Sequence, residues 1–224
     1  MKIPVVRNIL EANDRIAEEL RKRFLVQRIL VLNLISSPGS GKTSTLERTL
    51  TDLKDEFKMA VIEGDITTDN DARRVAATGA QAVQINTDGA CHLDSVMVLE
   101  ALNTMDLTGL DILFVENVGN LVCPAEFTVG EDAKVALLSV AEGDDKPEKY
   151  PLLFAEAQVM LLNKVDLLPY VDFDLDRAAR HARALNKDIE VFPISCRTRD
   201  GLDAWYDWLR AAVKAKKASA KKEE

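Results

Sequence analysis

Residues 30–45, Leu-Val-Leu-Asn-Leu-Ile-Ser-Ser-Pro-Gly-Ser-Gly-Lys-Thr-Ser-Thr, constrain the fold more than any other stretch of the chain. An apolar run of strand length, 29–35, enters a Ser/Pro/Gly turn that ends in Gly41-Lys42-Thr43. Leu46, Leu50 and Leu53 then recur at helical spacing to about residue 54. Strand, small-residue loop, Lys-Thr and helix is the order that an anion cradle requires, because N–H groups of the loop and of the helix N-terminus then converge on one point. Ser37, Pro38, Gly39, Ser40, Gly41, Lys42, Thr43 and Ser44 make up that loop, and Gly39 and Gly41 let the backbone approach closely. Lys42 is placed to reach β/γ-phosphates and the Thr43 hydroxyl to hold Mg²⁺. The first position of the pattern G-x-x-x-x-G-K-[ST] is Ser36 here, so only its second half is literal.

The flanking chain alternates in the same sense. Strands are expected at 59–63, 82–85, 111–116, 134–140, 157–162 and 189–194, and helices at 71–78, from Cys91/His92 to Asn103, at 175–185 and at 202–214. Alternating β and α units with strands rich in Ile, Leu, Phe and Val predict an α/β fold with a mostly parallel sheet covered by helices on both faces. Ahead of them, residues 4–25 read as one amphipathic helix, with Val5, Ile9, Ala12, Ile16, Leu20 and Phe24 on a stripe. The end of the chain is Lys/Ala-rich and is expected to fray or be disordered.

Charge and cysteine content narrow the function classes. Charged residues make up 29 % of the chain and the net charge is −8, against a general nucleic-acid-binding role. No apolar run approaches the roughly 20 residues of a membrane span, and no signal-peptide core opens the chain, so a cytoplasmic location without membrane association is expected. Cys91, Cys123 and Cys196 are too few and odd in number for a disulfide framework, and as thiols they can ligate metal or pack.

A second motif shares the expected rim of the sheet. Asn163-Lys164-Val165-Asp166 follows an apolar strand, and ligands in such sheets bind beyond the strands' carboxyl ends. The Asp166 carboxylate can accept from the ring N–H and exocyclic amine of guanine, an arrangement that adenine does not offer, so the chemistry favours GTP/GDP. Ser195-Cys196-Arg197, after the last expected strand, fits a loop whose N–H groups face the base oxygen.

Together these motifs resemble P-loop GTPases. The loop at 32–43 combines with Glu63-Gly64-Asp65, with Gly89-Ala90-Cys91-His92-Leu93-Asp94 and with Glu116-Asn117-Val118-Gly119-Asn120-Leu121-Val122-Cys123-Pro124. That combination is similar to the HypB family of hydrogenase nickel incorporation proteins, over roughly residues 5–210. The Ser36 departure also matches that family. The resemblance implies an N-terminal helical segment at 1–28, a GTPase domain at 29–215 and a charged tail at 216–224. It assigns Mg²⁺ to Thr43, Asp65 and Glu116, γ-phosphate sensing to Gly119, Thr67 and Thr68, and Ni²⁺ or Zn²⁺ to Cys91, His92 and Cys123. Asn120 stands where a water-positioning Gln would follow Gly119, so slow hydrolysis is expected.

Thiolate and imidazole donors suit Ni²⁺ or Zn²⁺ and leave the two open. Neighbouring Cys91 and His92 cannot both face one metal from a regular strand, and Gly89-Ala90 allows the turn that would let them converge. Three ligands leave an open position, or a twin completes the site across a two-fold axis. Cys123 lies four residues past Gly119, at most ~14 Å along the chain, which predicts coupling of nucleotide and metal. The leading expectation is a GTP-dependent homodimer that carries nickel to hydrogenase maturation partners and the hydrogenase large subunit, with urease a further client. A nucleotide-dependent kinase and a metal-buffering protein with little turnover are the competing classes. The first leaves the Asn-Lys-x-Asp motif without a role, and intact Thr43, Asp65 and Glu116 argue against the second.

Overall fold

The computed structural model describes residues 5–65 and 70–220, with the side chains of 5–9 and 70 excepted. Seven strands form one parallel sheet: β1 (Leu30–Ser36), β2 (Met59–Asp65), β3 (Gln81–Asn86), β4 (Ile112–Glu116), β5 (Ala133–Ser139), β6 (Val159–Asn163) and β7 (Glu190–Pro193). Their order across the sheet is β3-β2-β4-β1-β5-β6-β7. β1 is therefore central, flanked by β4 and β5, and the direction of winding reverses beside it. This is where an open α/β sheet leaves a crevice for ligand.

Alternation along β1 explains why both faces must be covered. Leu30, Leu32 and Leu34 point to one side, where Leu46 and Leu50 of α2 (Lys42–Leu53) meet Trp205 and Leu209 of α9 (Leu202–Ala220). Val31 points to the other, against Leu20 and Phe24 of α1 (Val5–Gln27) and Val98 and Leu102 of α4 (Ser95–Leu102). The β5–β6 half of that face packs on α7 (Pro151–Glu156) and α8 (Leu175–Leu185) through Leu153, Phe154, Ala178 and Ala182. The first helix is thus part of the core: Ala17, Leu20 and Phe24 are buried. Three further short α-helices lie among the described residues, α3 (Asn70–Ala76), α5 (Cys123–Glu126) and α6 (Lys146–Lys149), with a 3₁₀ helix at Val165–Tyr170.

Two expectations are corrected. The helix expected from Cys91/His92 begins only at Ser95, because Asp94 caps it, its Oδ1 accepting the Met97 N–H at 2.8 Å. Asp88 and Gly89 carry positive φ ahead of it, so Cys91 and His92 sit on a loop. At the other end α9 continues to Ala220, where fraying or disorder was expected. Its residue Lys216 is buried and its Nζ lies 2.6 Å from Asp132 Oδ1, and Val213 packs into the core. Charge pairing, not visible in the Lys/Ala composition, extends the helix. No helix among the described residues is long and apolar enough to cross a membrane.

Candidate functional site

A cleft of about 500 Å³ opens at the carboxyl end of β1, β2 and β4, lined by the 38–44 loop, residues 63–65, Asp71, Arg74, residues 116–119 and Lys164. Gly41 ends its loop at φ 101, and a Cβ there would lie 2.4 Å from Asn163 Nδ2, so only glycine fits. That same amide nitrogen donates to the Ser40 carbonyl at 2.9 Å, while Lys164 Nζ donates to the Gly39 carbonyl at 2.6 Å. The Asn-Lys pair is thereby a brace under the loop as well as a rim of the cleft. Ser36, the departure from the loop pattern, is fully buried and accepts a hydrogen bond from Lys42 Nζ at 3.0 Å. The amine is thus held folded back over its own loop, next to the place where an anion would sit. Gly119 lies against Pro38, so the 116–119 segment closes the cleft's opposite wall.

The floor is acidic. Thr43 Oγ1 donates to Glu116 Oε1 at 2.9 Å, and Glu63 pairs with Glu116 in register across β2 and β4. Carboxylate oxygens of Glu63, Asp71 and Glu116 all lie within 4.8 Å of one another. Burial, reinforced by the Glu116 charge, pushes the Glu63 carboxyl far above the usual carboxylate range, and burial also raises Glu116. The Oε2 atoms of Glu63 and Glu116 are buried without a hydrogen-bond partner among the described residues. Hard oxygen donors crowded on the floor of the cleft fit a small divalent cation such as Mg²⁺, whose charge would favour their ionised form. Asp65 lines the cleft but is not one of the three clustered carboxylates. Thr67 and Thr68 lie outside the described residues.

Beyond Lys164, Asp166 is half-buried and accepts from Ser195 Oγ at 2.7 Å, with Arg197 Nη1 4.0 Å from its other oxygen. Ser195 Oγ also accepts the N–H groups of Arg197 and Thr198 at 3.2 and 3.1 Å. The Arg197 N–H is therefore already engaged by the Ser195 hydroxyl. Cys196 Sγ lies 3.4 Å from Thr45 Oγ1 and 3.7 Å from Asn163 Oδ1, packed beneath this corner. Asp166 and the Ser195–Arg197 turn come together at the far edge of the loop's brace.

A soft-donor group forms between the loop that follows β3 and the first residue of α5. The ligand atoms of Cys91, His92 and Cys123 lie within 4.8 Å of one another, with Cys91 Sγ 3.6 Å from His92 Nδ1. The His92 ring stacks on Phe127 at 3.9 Å between centroids. Burial lowers the His92 pKa, which keeps the imidazole neutral and able to ligate. The Cys123 thiol beside it raises that of Cys91. Asn120 Nδ2 donates to the Cys91 carbonyl at 3.3 Å, and Asn120 Oδ1 accepts the Val122 N–H at 2.9 Å, so this side chain is tied to the loop that carries Cys91 and His92.

Comparison with known proteins decides the family. Residues 30–193 match the CobW/HypB/UreG nucleotide-binding domain. The hydrogenase maturation factor HypB of Escherichia coli K12 is 54 % identical over 202 residues, which cover 90 % of this chain and 70 % of that protein. The chain belongs to the HypB family. The crystal structure of HypB from Helicobacter pylori in complex with nickel superposes with a TM-score of 0.87 at 38 % identity, covering 91 % of this chain and 96 % of that one. HypB from Archaeoglobus fulgidus gives 0.85 at 35 % identity, covering 91 % and 100 %.

Against this HypB fold, sequence reading passed over Glu63 and Asp71. Glu63 sits two residues before Asp65 on the same strand, so both face one side of β2 and spacing alone does not rank them. The signal that could have separated them is cross-strand register, since Glu63 stands beside Glu116. Asp71 was expected only as the start of a helix, and it is held in the cleft by Arg74 Nη1 at 3.0 Å.

Proposed function

We propose that this chain is a GTP-hydrolysing metallochaperone that binds nickel and hands it on during [NiFe]-hydrogenase maturation, its nucleotide state setting dimerisation and metal release. The observation that carries the reading is the joint one: a phosphate cradle with a guanine corner, and a Cys-His-Cys group on a loop roped to the cradle's opposite wall. The loop N–H groups and Lys42 bind the phosphates. Asp166 accepts from the guanine edge, and the Ser195 hydroxyl holds it in place. Thr43 and Glu116, with Glu63, Asp65 and Asp71 around them, would hold Mg²⁺, which neutralises charge between the β- and γ-phosphates.

Hydrolysis joins a water oxygen to the γ-phosphorus and breaks its bond to the β–γ bridging oxygen, releasing GDP and phosphate. The Asn120 side chain is occupied by Cys91 and Val122, so no amide is free there to orient the water, and unassisted turnover is slow. Below that wall, two thiols and a neutral imidazole supply the soft donors that nickel accepts, and Zn²⁺ competes for them. Cys91 is exposed and Val122, beside Cys123, is half exposed, so a second copy of the chain can reach the group and complete it across a two-fold axis.

Sedimentation with GDP and with a non-hydrolysable GTP analogue, each with and without Ni²⁺, tests the reading. The expected result is a dimer favoured by the GTP analogue and nickel. A monomer under all four conditions, with nickel bound no more tightly than to a Cys91→Ala/Cys123→Ala variant, would remove it.

A further inference from the structure

The cleft and the metal group meet at one residue used by neither, Leu93. It follows His92 directly and is fully buried. Its N–H donates to Asn117 Oδ1 at 2.9 Å, and the same oxygen accepts the Val118 N–H at 3.0 Å. Asn117 therefore joins, through one atom, the backbone just past the imidazole and the backbone of the Glu116–Gly119 segment. Its amide is itself oriented from behind: Asn117 Nδ2 donates to Asn33 Oδ1 on β1 at 3.2 Å, and both residues are buried.

The Leu93 side chain supplies a second link. A Cβ on Gly64 would lie 2.7 Å from Leu93 Cγ, so the leucine is seated directly on the backbone between Glu63 and Asp65. Just downstream the chain is anchored elsewhere. The Ser95 N–H donates to Asn13 Oδ1 at 2.9 Å and Ser95 Oγ to the Asn13 carbonyl at 2.8 Å, fixing the start of α4 to α1. Residues 91–93 thus hang between a fixed post at Ser95, the Asn120 amide on the Cys91 carbonyl, and the two contacts of Leu93 with the cleft wall.

We propose that Asn117 is a positioning residue that transmits nucleotide state to the metal loop, with Leu93 as the receiving end. When a γ-phosphate draws the 116–119 segment, Asn117 Oδ1 carries the Leu93 backbone with it, and the Cys91-His92 pair shifts relative to Cys123. A buried, doubly used carbonyl oxygen does this because breaking either bond would strand a polar group without water. The inference rests on the reading that nucleotide occupies the cleft and nickel the Cys-His-Cys group.

The test is the ratio of nickel affinities measured with GDP and with the non-hydrolysable GTP analogue, for the unaltered protein, Asn117→Ala and Asn33→Ala. In the unaltered protein this ratio is expected to be about fivefold or more, the lower range of measured couplings. Asn117→Ala brings it to within about twofold of one, whatever happens to the two affinities separately, and Asn33→Ala, which only frees the amide's orientation, lowers it part of the way. A merely structural role would change both affinities together and leave the ratio intact. If Asn117→Ala keeps the full ratio, or does not fold and Asn33→Ala keeps it, the transmission through Asn117 is overturned while the coupled function stands. A ratio of one in the unaltered protein instead overturns the coupled function, and this inference with it.

Discussion

Gly41 and Gly89 hold nearly the same backbone angle, φ 101 and φ 96, yet their surroundings differ completely. A Cβ on Gly41 would be driven into the Asn163 amide, whereas one on Gly89 would meet nothing within 4 Å. The first belongs to the phosphate loop, where Ser36, Ser40 and Asn163 are buried and each hydrogen-bonded. The second belongs to the loop carrying Cys91 and His92, which is open on its outer side. The phosphate-loop corner is thus held firmly by its own hydrogen bonds. The Cys-His-Cys group is assembled from the open loop after Gly89 and the first residue of α5, so small shifts of that loop can tighten or loosen it. A carrier needs that asymmetry: firm hold on the fuel, adjustable hold on the cargo.

The contrast can be broken or sharpened by measurement. The largest expected effect is at Gly41: Gly41→Ala must both strain the backbone and displace Asn163, and should weaken GDP binding about 100-fold in a calorimetric titration. Retention of GDP affinity would show that the corner is not rigid. Next comes the pH dependence of nickel binding. Thiols lose their protons to ligate, and Cys91 is held above its ordinary 9.0 by Cys123, while His92 is already neutral. Affinity should therefore climb with pH through the range 7–9, by up to about tenfold per unit for each proton released, and competition titrations at stepped pH check the slope.

A smaller effect concerns the acidic floor of the nucleotide-free protein. The Glu63 pKa is raised on folding, so its contribution to stability is full below the unfolded value near 4.5 and is lost as pH rises above it. Glu63→Gln removes that loss, and the melting temperature should rise by about 4 °C at pH 8 and by little at pH 5, measured by calorimetry. The smallest effect is expected at Gly89, where Gly89→Ala costs only its left-handed strain, about 1 kcal/mol or about 2–4 °C. A collapse of nickel binding there would mean that the loop is less roomy than its geometry indicates.

The alternation of strands and helices and the phosphate loop were legible in the sequence from local spacing, whereas the grouping of Asp166 with Ser195 and of Cys91 and His92 with Cys123 was expected from the resemblance to a family. What was not legible depends on neighbours distant in the chain. The ranking of Glu63 against Asp65 is set by which residue of β4 lies alongside. The true start of α4 is set by whether Asp94 turns to cap Met97 or leaves the helix to run back through His92. Lys216 looked like part of a solvated basic tail, and only the tertiary placement of Asp132 makes it a buried partner. Asn117 and Asn33 stand within the quoted motifs, but their pairing was not legible, since a polar residue in or after an apolar strand has meaning only once its partner is known.

Asp132 deserves one more consequence. Besides meeting Lys216 with one oxygen, it accepts the Val31 N–H with the other at 2.9 Å, so the last turns of α9 grip the opening residues of the strand whose far end carries the phosphate loop. Shortening the chain to residue 215 would therefore release the root of β1, and with it the footing of everything mounted on that strand's tip. Tethers and labels at this end should therefore leave Lys216 and its helical turn intact.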